Sequence, residues 1–200
     1  MDTDIGIPGA SLMPGDHICG FFFGVAERDE VLLPYLRKGI EAGHKCLCIV
    51  DASEPSTVIA ALGDGVDVDG AVSSRQLEVL PAGDAYLRTG TFATEDMLNF
   101  LRDNVGRATT GGYHFARIAG ETTWLFDDPP GADQFIDYEA EINRYAPEYP
   151  QSILCLYDLA RFGGGMMVDL LKTHPKILLG GLLIDNPHYL TPDEFRATRR

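Results

Sequence analysis

Residues 17–30 read His17-Ile18-Cys19-Gly20-Phe21-Phe22-Phe23-Gly24-Val25-Ala26-Glu27-Arg28-Asp29-Glu30. The apolar run from His17 to Phe23, entered through a Pro14-Gly15 turn, has the length and composition of a buried strand. A helical segment follows, with Val31, Leu32, Tyr35, Leu36 and Ile40 on one face and Gly43 as its stop. Pro34 is expected in an early turn of that helix or at a bend. The turn between strand and helix is where a nucleotide-binding α/β domain carries its phosphate loop. Here it holds one glycine, no Lys-Ser/Thr pair, and the carboxylates of Glu27, Asp29 and Glu30. Amides cannot wrap a triphosphate without glycine freedom, and the acids would repel it, so P-loop chemistry is not expected.

The same alternation runs outward along the chain. Lys45 to Asp51, Gln76 to Leu80, Tyr113 to Ala119 and Ser152 to Asp158 read as strands, and Ile177 to Ile184 as one or two more. Helical segments lie between them: Ser53-Glu54-Pro55 through Leu62, a helix capped by Thr94 with Met97, Leu98, Leu101 and Val105 inward, Ala132 to Tyr145, and Met166 to Thr173. Gly63 to Gly70 (GDGVDVDG) lacks the spacing and closing Glu of an EF-hand and is read as a turn. Repeated strand and helix of this kind predict an α/β fold, a three-layer, mostly parallel sheet with helices on both faces. The expected organisation is a single domain over residues 15–195, an N-terminal extension over 1–14 and a tail over 196–200.

Composition narrows the partners. The 200 residues carry 30 acids against 16 bases, a formal net charge of -14, with 45% apolar residues. Such a chain can bury a core and is not a disordered acidic tail. Neither half is basic, so direct nucleic-acid binding is not expected. Met1-Asp2-Thr3-Asp4 opens no secretory leader and no apolar stretch could span a bilayer, so no membrane partner is expected. Cys19, Cys46, Cys48 and Cys155 all fall in strand-like runs and form no CxxC pair, which fits core thiols in a reducing cytoplasm.

In open parallel sheets, ligands bind at the carboxyl ends of the strands. That rule gathers Phe23, Asp51 with Glu54, Arg117 and Glu121 with Trp124, and Tyr157-Asp158 with Arg161. Glu139 is anomalous, because Phe135, Tyr138, Glu139 and Ile142 share the apolar face of one helix. A buried carboxylate needs a partner, and Arg117 and Arg161 are the expected ones. An internal ion-pair network and a ligand pocket account for it equally well. His17, His44, His114, His174 and His188 share no metal-ligand spacing, and no metal is expected; His17 and His174 suit structural hydrogen bonds. Gly163-Gly164-Gly165 is read as a loop. No G-x-S-x-G elbow or other nucleophile arrangement occurs, so no catalytic residue is expected.

Several separated motifs occur in order: Gly15-Asp16-His17-Ile18-Cys19, Pro34-Tyr35-Leu36-x-x-Gly39 running into Gly43-x-Lys45-Cys46-Leu47, and Arg117-x-x-Gly120-Glu121-x-x-Trp124. Tyr138-Glu139-x-x-x-Asn143, Cys155-x-Tyr157-Asp158-x-x-Arg161-Phe162 and His174-Pro175 complete the series. In these, from about Gly15 to Phe195, the chain resembles the MEDS family, the methanogen/methylotroph sensory domain. The resemblance implies a RecA/KaiC-like fold whose phosphate loop has decayed, and Asp158 falls at the Walker B position of that fold. It also implies sensing of small molecules, hydrocarbon derivatives included, beside a DNA-binding or histidine-kinase module. No such module is recognisable in these residues, so a kinase or transcription regulator is the expected partner. The ancestry is compatible with homo-oligomers.

The leading expectation is therefore a non-enzymatic sensor without cofactor. Its candidate ligand-binding residues are His17, Phe23, Arg117, Glu121, Trp124, Glu139, Tyr157, Asp158 and Arg161. A KaiC-like nucleotide-binding protein and a pure protein-interaction module are the alternatives.

Overall fold

The structure is a computed structural model that describes residues 4–7 and 10–199; residues 1–3 and 8–9 of the expected extension and Arg200 of the expected tail lie outside the described residues. The strands are β1 (Asp16–Phe22), β2 (Lys45–Val50), β3 (Leu77–Pro81), β4 (Ala116–Glu121), β5 (Gln151–Asp158), β6 (Lys176–Leu179) and β7 (Leu182–Asp185). They form one sheet in the order β3-β2-β4-β5-β1-β6-β7. All neighbours are parallel except β6 and β7, an antiparallel pair joined through Gly180-Gly181. The helices are α1 (Gly24–Glu41), α2 (Pro55–Ala61), α3 (Val68–Ser73), α4 (Ala82–Ala85), α5 (Thr94–Thr110), α6 (Phe135–Tyr145), α7 (Gly164–Thr173) and α8 (Pro192–Thr198).

Strands β1, β2 and β4 are buried throughout, as parallel strands covered on both faces must be. Side chains alternate between two cores with the two-residue period of a strand. Ile18, Phe22, Cys46, Cys48, Leu154 and Leu156 join Leu32 and Leu36 of α1. Cys19, Phe21, Cys155 and Tyr157 join Leu98, Leu101, Phe135, Ile142, Leu170 and Phe195 from α5, α6, α7 and α8. Ile5, Ile7 and Leu12, ahead of the boundary expected at residue 15, are buried in the first core.

Local differences from expectation have physical causes. Thr94 does not cap α5: Ala93 is the N-cap and no side chain serves the first turn, leaving Glu95 and Asp96 to complement the helix dipole. The turn expected over 63–70 contains the start of α3, which Asp67 caps by accepting from the Gly70 amide. Pro34 lies in the middle of α1 rather than in an early turn. α8, opened by a Thr191/Glu194 capping box, was not foreseen.

Candidate functional site

At the carboxyl end of β1 the chain turns into α1 through Gly24, whose φ of +70° suits glycine. Two amides at this turn are engaged by the protein's own acids. The Phe23 amide donates to Glu27 Oε2 at 2.7 Å, and the Gly24 amide to Asp158 Oδ1 at 3.4 Å. Asp158 also accepts from the Ala160 amide at 3.0 Å. Two carboxylates thus sit against the turn into α1, while Phe23 stands exposed beside it.

Behind that turn lies a buried ion pair. Arg28 of α1 donates to Glu121 at 2.5 Å, to Asp29 at 2.6 Å and to the Ser53 hydroxyl at 3.1 Å. The other oxygen of Glu121 accepts the amides of Asp51 and Ala52 at 2.6 and 2.9 Å. Glu121 therefore ties the end of β4 to the end of β2 and to α1.

Other expected residues are elsewhere. Arg117 is near the amino end of β4 and does not pair with Glu139. Its guanidinium donates to His44 Nδ1 and to the carbonyls of Tyr35 and Asp4. Arg161 is exposed, with its guanidinium 4.1 Å above the Phe126 ring. Trp124 is buried, stacked on Tyr86 at 5.0 Å and packed against Phe92 and Phe135, so it walls no open cleft. A surface depression of about 430 Å³ lined by Ile59, Ala60, Val66 and Asp67 belongs to α2 and α3 at the β3 edge, apart from all of these.

Glu139 finds histidines instead. His17 Nε2 and His174 Nε2 both lie 3.1 Å from Glu139 Oε2. Cys155 Sγ is 3.4 Å from His17 Nε2, and the Tyr157 hydroxyl is 3.4 Å from His174 Nε2. All five side chains are essentially fully buried. Each element contributes by its own period: β1 and β5 turn His17, Cys155 and Tyr157 to the same face, α6 presents Glu139 to it, and His174 follows the end of α7.

The outer nitrogens of the two imidazoles are fixed. His174 Nδ1 lies 2.8 Å from the Leu170 carbonyl, which can only accept, so Nδ1 carries the hydrogen. The Asn143 amide nitrogen donates to the carbonyls of Glu139, Ala140 and Thr173. Its oxygen therefore faces His17 Nδ1 at 3.1 Å and accepts from it. In its neutral form, an imidazole whose Nδ1 carries the hydrogen aims an Nε2 lone pair at that carboxylate oxygen, and both rings face the same one. The other oxygen, Glu139 Oε1, has no hydrogen-bond partner among the described residues.

Charge makes the conflict explicit. Burial opposes ionisation of Glu139, but hydrogen bonds and charge from His17 and His174 outweigh it and hold the carboxyl low, at about 2. That requires protonated imidazole, yet burial first and then the neighbouring His174 push His17 toward its neutral form. The rings are only 4.1 Å apart, and two imidazolium charges there would repel by about 4 kcal/mol at an effective dielectric of about 20. Burial, and then Glu139, drive the Cys155 thiol well above its ordinary value. His17, Glu139, Cys155 and His174 bring four potential ligand atoms within 4.8 Å of one another. No metal was expected because these ligands come from four elements. The available signal was the shared face of His17 and Cys155 and the i, i+4 pair Glu139 and Asn143.

The chain matches the family described as MEDS, MEthanogen/methylotroph, DcmR Sensory domain, over residues 16–175. It is 28% identical over 172 residues to the transcriptional repressor DcmR of Methylorubrum extorquens, an alignment covering 84% of this chain and 61% of the repressor. The matched part therefore spans less than two thirds of that relative. Among solved structures, a KaiC-like protein from Pyrococcus horikoshii OT3 superposes with a TM-score of 0.62 at 11% identity, covering 88% of this chain and 79% of that one. The flagellar accessory protein FlaH from Methanocaldococcus jannaschii gives 0.58 at 9% identity, covering 88% and 77%. These likenesses establish a KaiC-like, RecA-like fold. No helix among the described residues is long and apolar enough to cross a membrane.

Proposed function

We propose, from the fact that this chain belongs to the MEDS family, that it is a non-enzymatic, cytoplasmic sensor that takes a small uncharged molecule of hydrocarbon type at the carboxyl end of its sheet. Its sensory role in regulation follows from the family and from its similarity to a repressor. The ligand class and the output through a separate regulatory protein are our reading. One observation carries it: Glu27 and Asp158 engage the Phe23 and Gly24 amides at the turn into α1, so carboxylates already sit where an anionic ligand would approach. An anionic ligand would have to displace two carboxylates from an already acidic edge, whereas an uncharged one need only cover the exposed Phe23 ring and the aromatic pair Phe126 and Phe162.

Thermal denaturation tests this directly. A ligand at about 100 times its Kd stabilises by about 2.7 kcal/mol, a shift of several degrees for a chain of this size. A panel of small alcohols, amines and halocarbons should contain a stabilising member whose effect is lost in Phe23→Asp. Mg-ATP and Mg-ADP at about 1 mM should leave Tm unchanged. Stabilisation by nucleotide that disappears in Asp158→Asn would overturn the proposal in favour of nucleotide binding.

A further inference from the structure

We propose that His17, Glu139, Cys155 and His174 form a closed site for a single divalent transition-metal ion of zinc type, between the sheet and helices α6 and α7. Four donors from four elements converge with ligand atoms within 4.8 Å of one another, so a modest inward shift would bring them to the edges of about 3.3–3.8 Å of a tetrahedral zinc shell. Two imidazole nitrogens, a thiolate and a carboxylate form a zinc donor set, whereas magnesium and calcium take oxygen ligands. Both histidines already have the outer hydrogen bond that metal-bound imidazoles use to fix tautomer and orientation: His17 to Asn143 and His174 to the Leu170 carbonyl.

The alternative occupant of the centre is a proton, and it leaves a conflict. One proton shared between Glu139 and one imidazole still leaves the second Nε2 lone pair facing the same oxygen at 3.1 Å. A metal ion accepts both lone pairs at once and also engages the unpartnered Glu139 Oε1 or its neighbour. Charge selects the valence. A divalent ion with one carboxylate and one thiolate gives a formally neutral site, as a fully buried position requires. On binding, the Cys155 thiol releases its proton to solvent and forms the metal–sulfur bond. All four side chains are enclosed, so the ion is acquired as the chain folds. This site is distinct from the carboxyl edge invoked for the sensed molecule.

The test uses the full chain without a polyhistidine tag, produced in medium supplemented with zinc or with cobalt. Elemental analysis should find about one metal ion per folded chain. The cobalt form should show the strong visible absorption of four-coordinate Co2+ together with a thiolate-to-cobalt charge-transfer band. Cys155→Ser should abolish the charge-transfer band, and Glu139→Gln with His174→Ala should lower occupancy at least about tenfold. If the double variant does not fold, the two bands of the wild-type cobalt protein decide the matter alone. Folded protein with less than about 0.1 metal ion per chain after growth in either medium overturns the site. So does a cobalt spectrum that Cys155→Ser leaves unchanged.

Discussion

Arg28 and Glu121 meet at 2.5 Å with both side chains almost fully enclosed. A buried pair is costly to break, because removing one charge strands the other; typical losses are about 3–5 kcal/mol. Asp29, partly exposed, still contacts Arg28, so the loss in Glu121→Gln should be smaller, about 2–4 kcal/mol in urea denaturation. Arg28→Met combined with Glu121→Leu should lose much less than the sum of the single changes, although the Asp51 and Ala52 amides then lack their acceptor. A loss under about 1 kcal/mol in Glu121→Gln would mean that Asp29 alone satisfies Arg28. Not all of the site could be read from the sequence at this scale. Helical period exposed Glu139 as a buried acid, but not its partners. Arginine was the expected counter-charge on chemical grounds, while the histidines reach Glu139 only because β1 lies beside β5 and α7 beside α6, adjacencies that no local pattern encodes. Arg117 illustrates the converse. It shares a strand with Glu121, yet its position near the amino end of β4 sends it to His44 and α1.

At the scale of elements, two helix glycines separate intrinsic propensity from packing. In α5, Gly106 is exposed, and an added Cβ would meet nothing within 4 Å. Gly106→Ala should therefore stabilise the protein by about 0.5–1 kcal/mol. In α1, Gly39 is where the helix approaches the sheet: a Cβ there would lie 2.5 Å from Cys46 Sγ and 2.9 Å from Arg117 Cδ. The same gain in propensity is then outweighed by overpacking of about 1–3 kcal/mol, so Gly39→Ala should lower Tm while Gly106→Ala raises it. Equal shifts of one sign in both variants would refute the close approach of α1. The main elements were legible because each strand is a short apolar run and each long helix has a continuous apolar stripe. What escaped were elements too short to have a period, α3, α4 and α8, and the precise ends set by capping. Ala93 instead of Thr94 opens α5, since the chain enters that helix with Thr94 already helical and its hydroxyl near the Gln134 carbonyl.

Over the whole molecule, 30 acids against 16 bases set a field that local pairs do not cancel. Several ion pairs lie at the surface, among them Lys38 with Glu41, Arg144 with Asp193 and Arg199 with Asp137. Exposed pairs contribute about 0–1 kcal/mol each and weaken as salt is added. Self-repulsion at a net charge of -14 acts in the opposite sense, since it destabilises the compact state and is relieved by screening. The buried pair of Arg28 and Glu121 is largely shielded from salt, so it does not enter the balance. The surplus of acids is spread over many positions, whereas each surface pair is exposed and individually weak, so repulsion should prevail. Tm should rise as sodium chloride is raised from about 10 to about 200 mM, a range over which the screening length falls from about 30 Å to below 10 Å. Chloride rather than sulfate is the salt to use, because excluded anions stabilise folded chains irrespective of charge. A Tm that falls over that range would show surface pairing outweighing the net field.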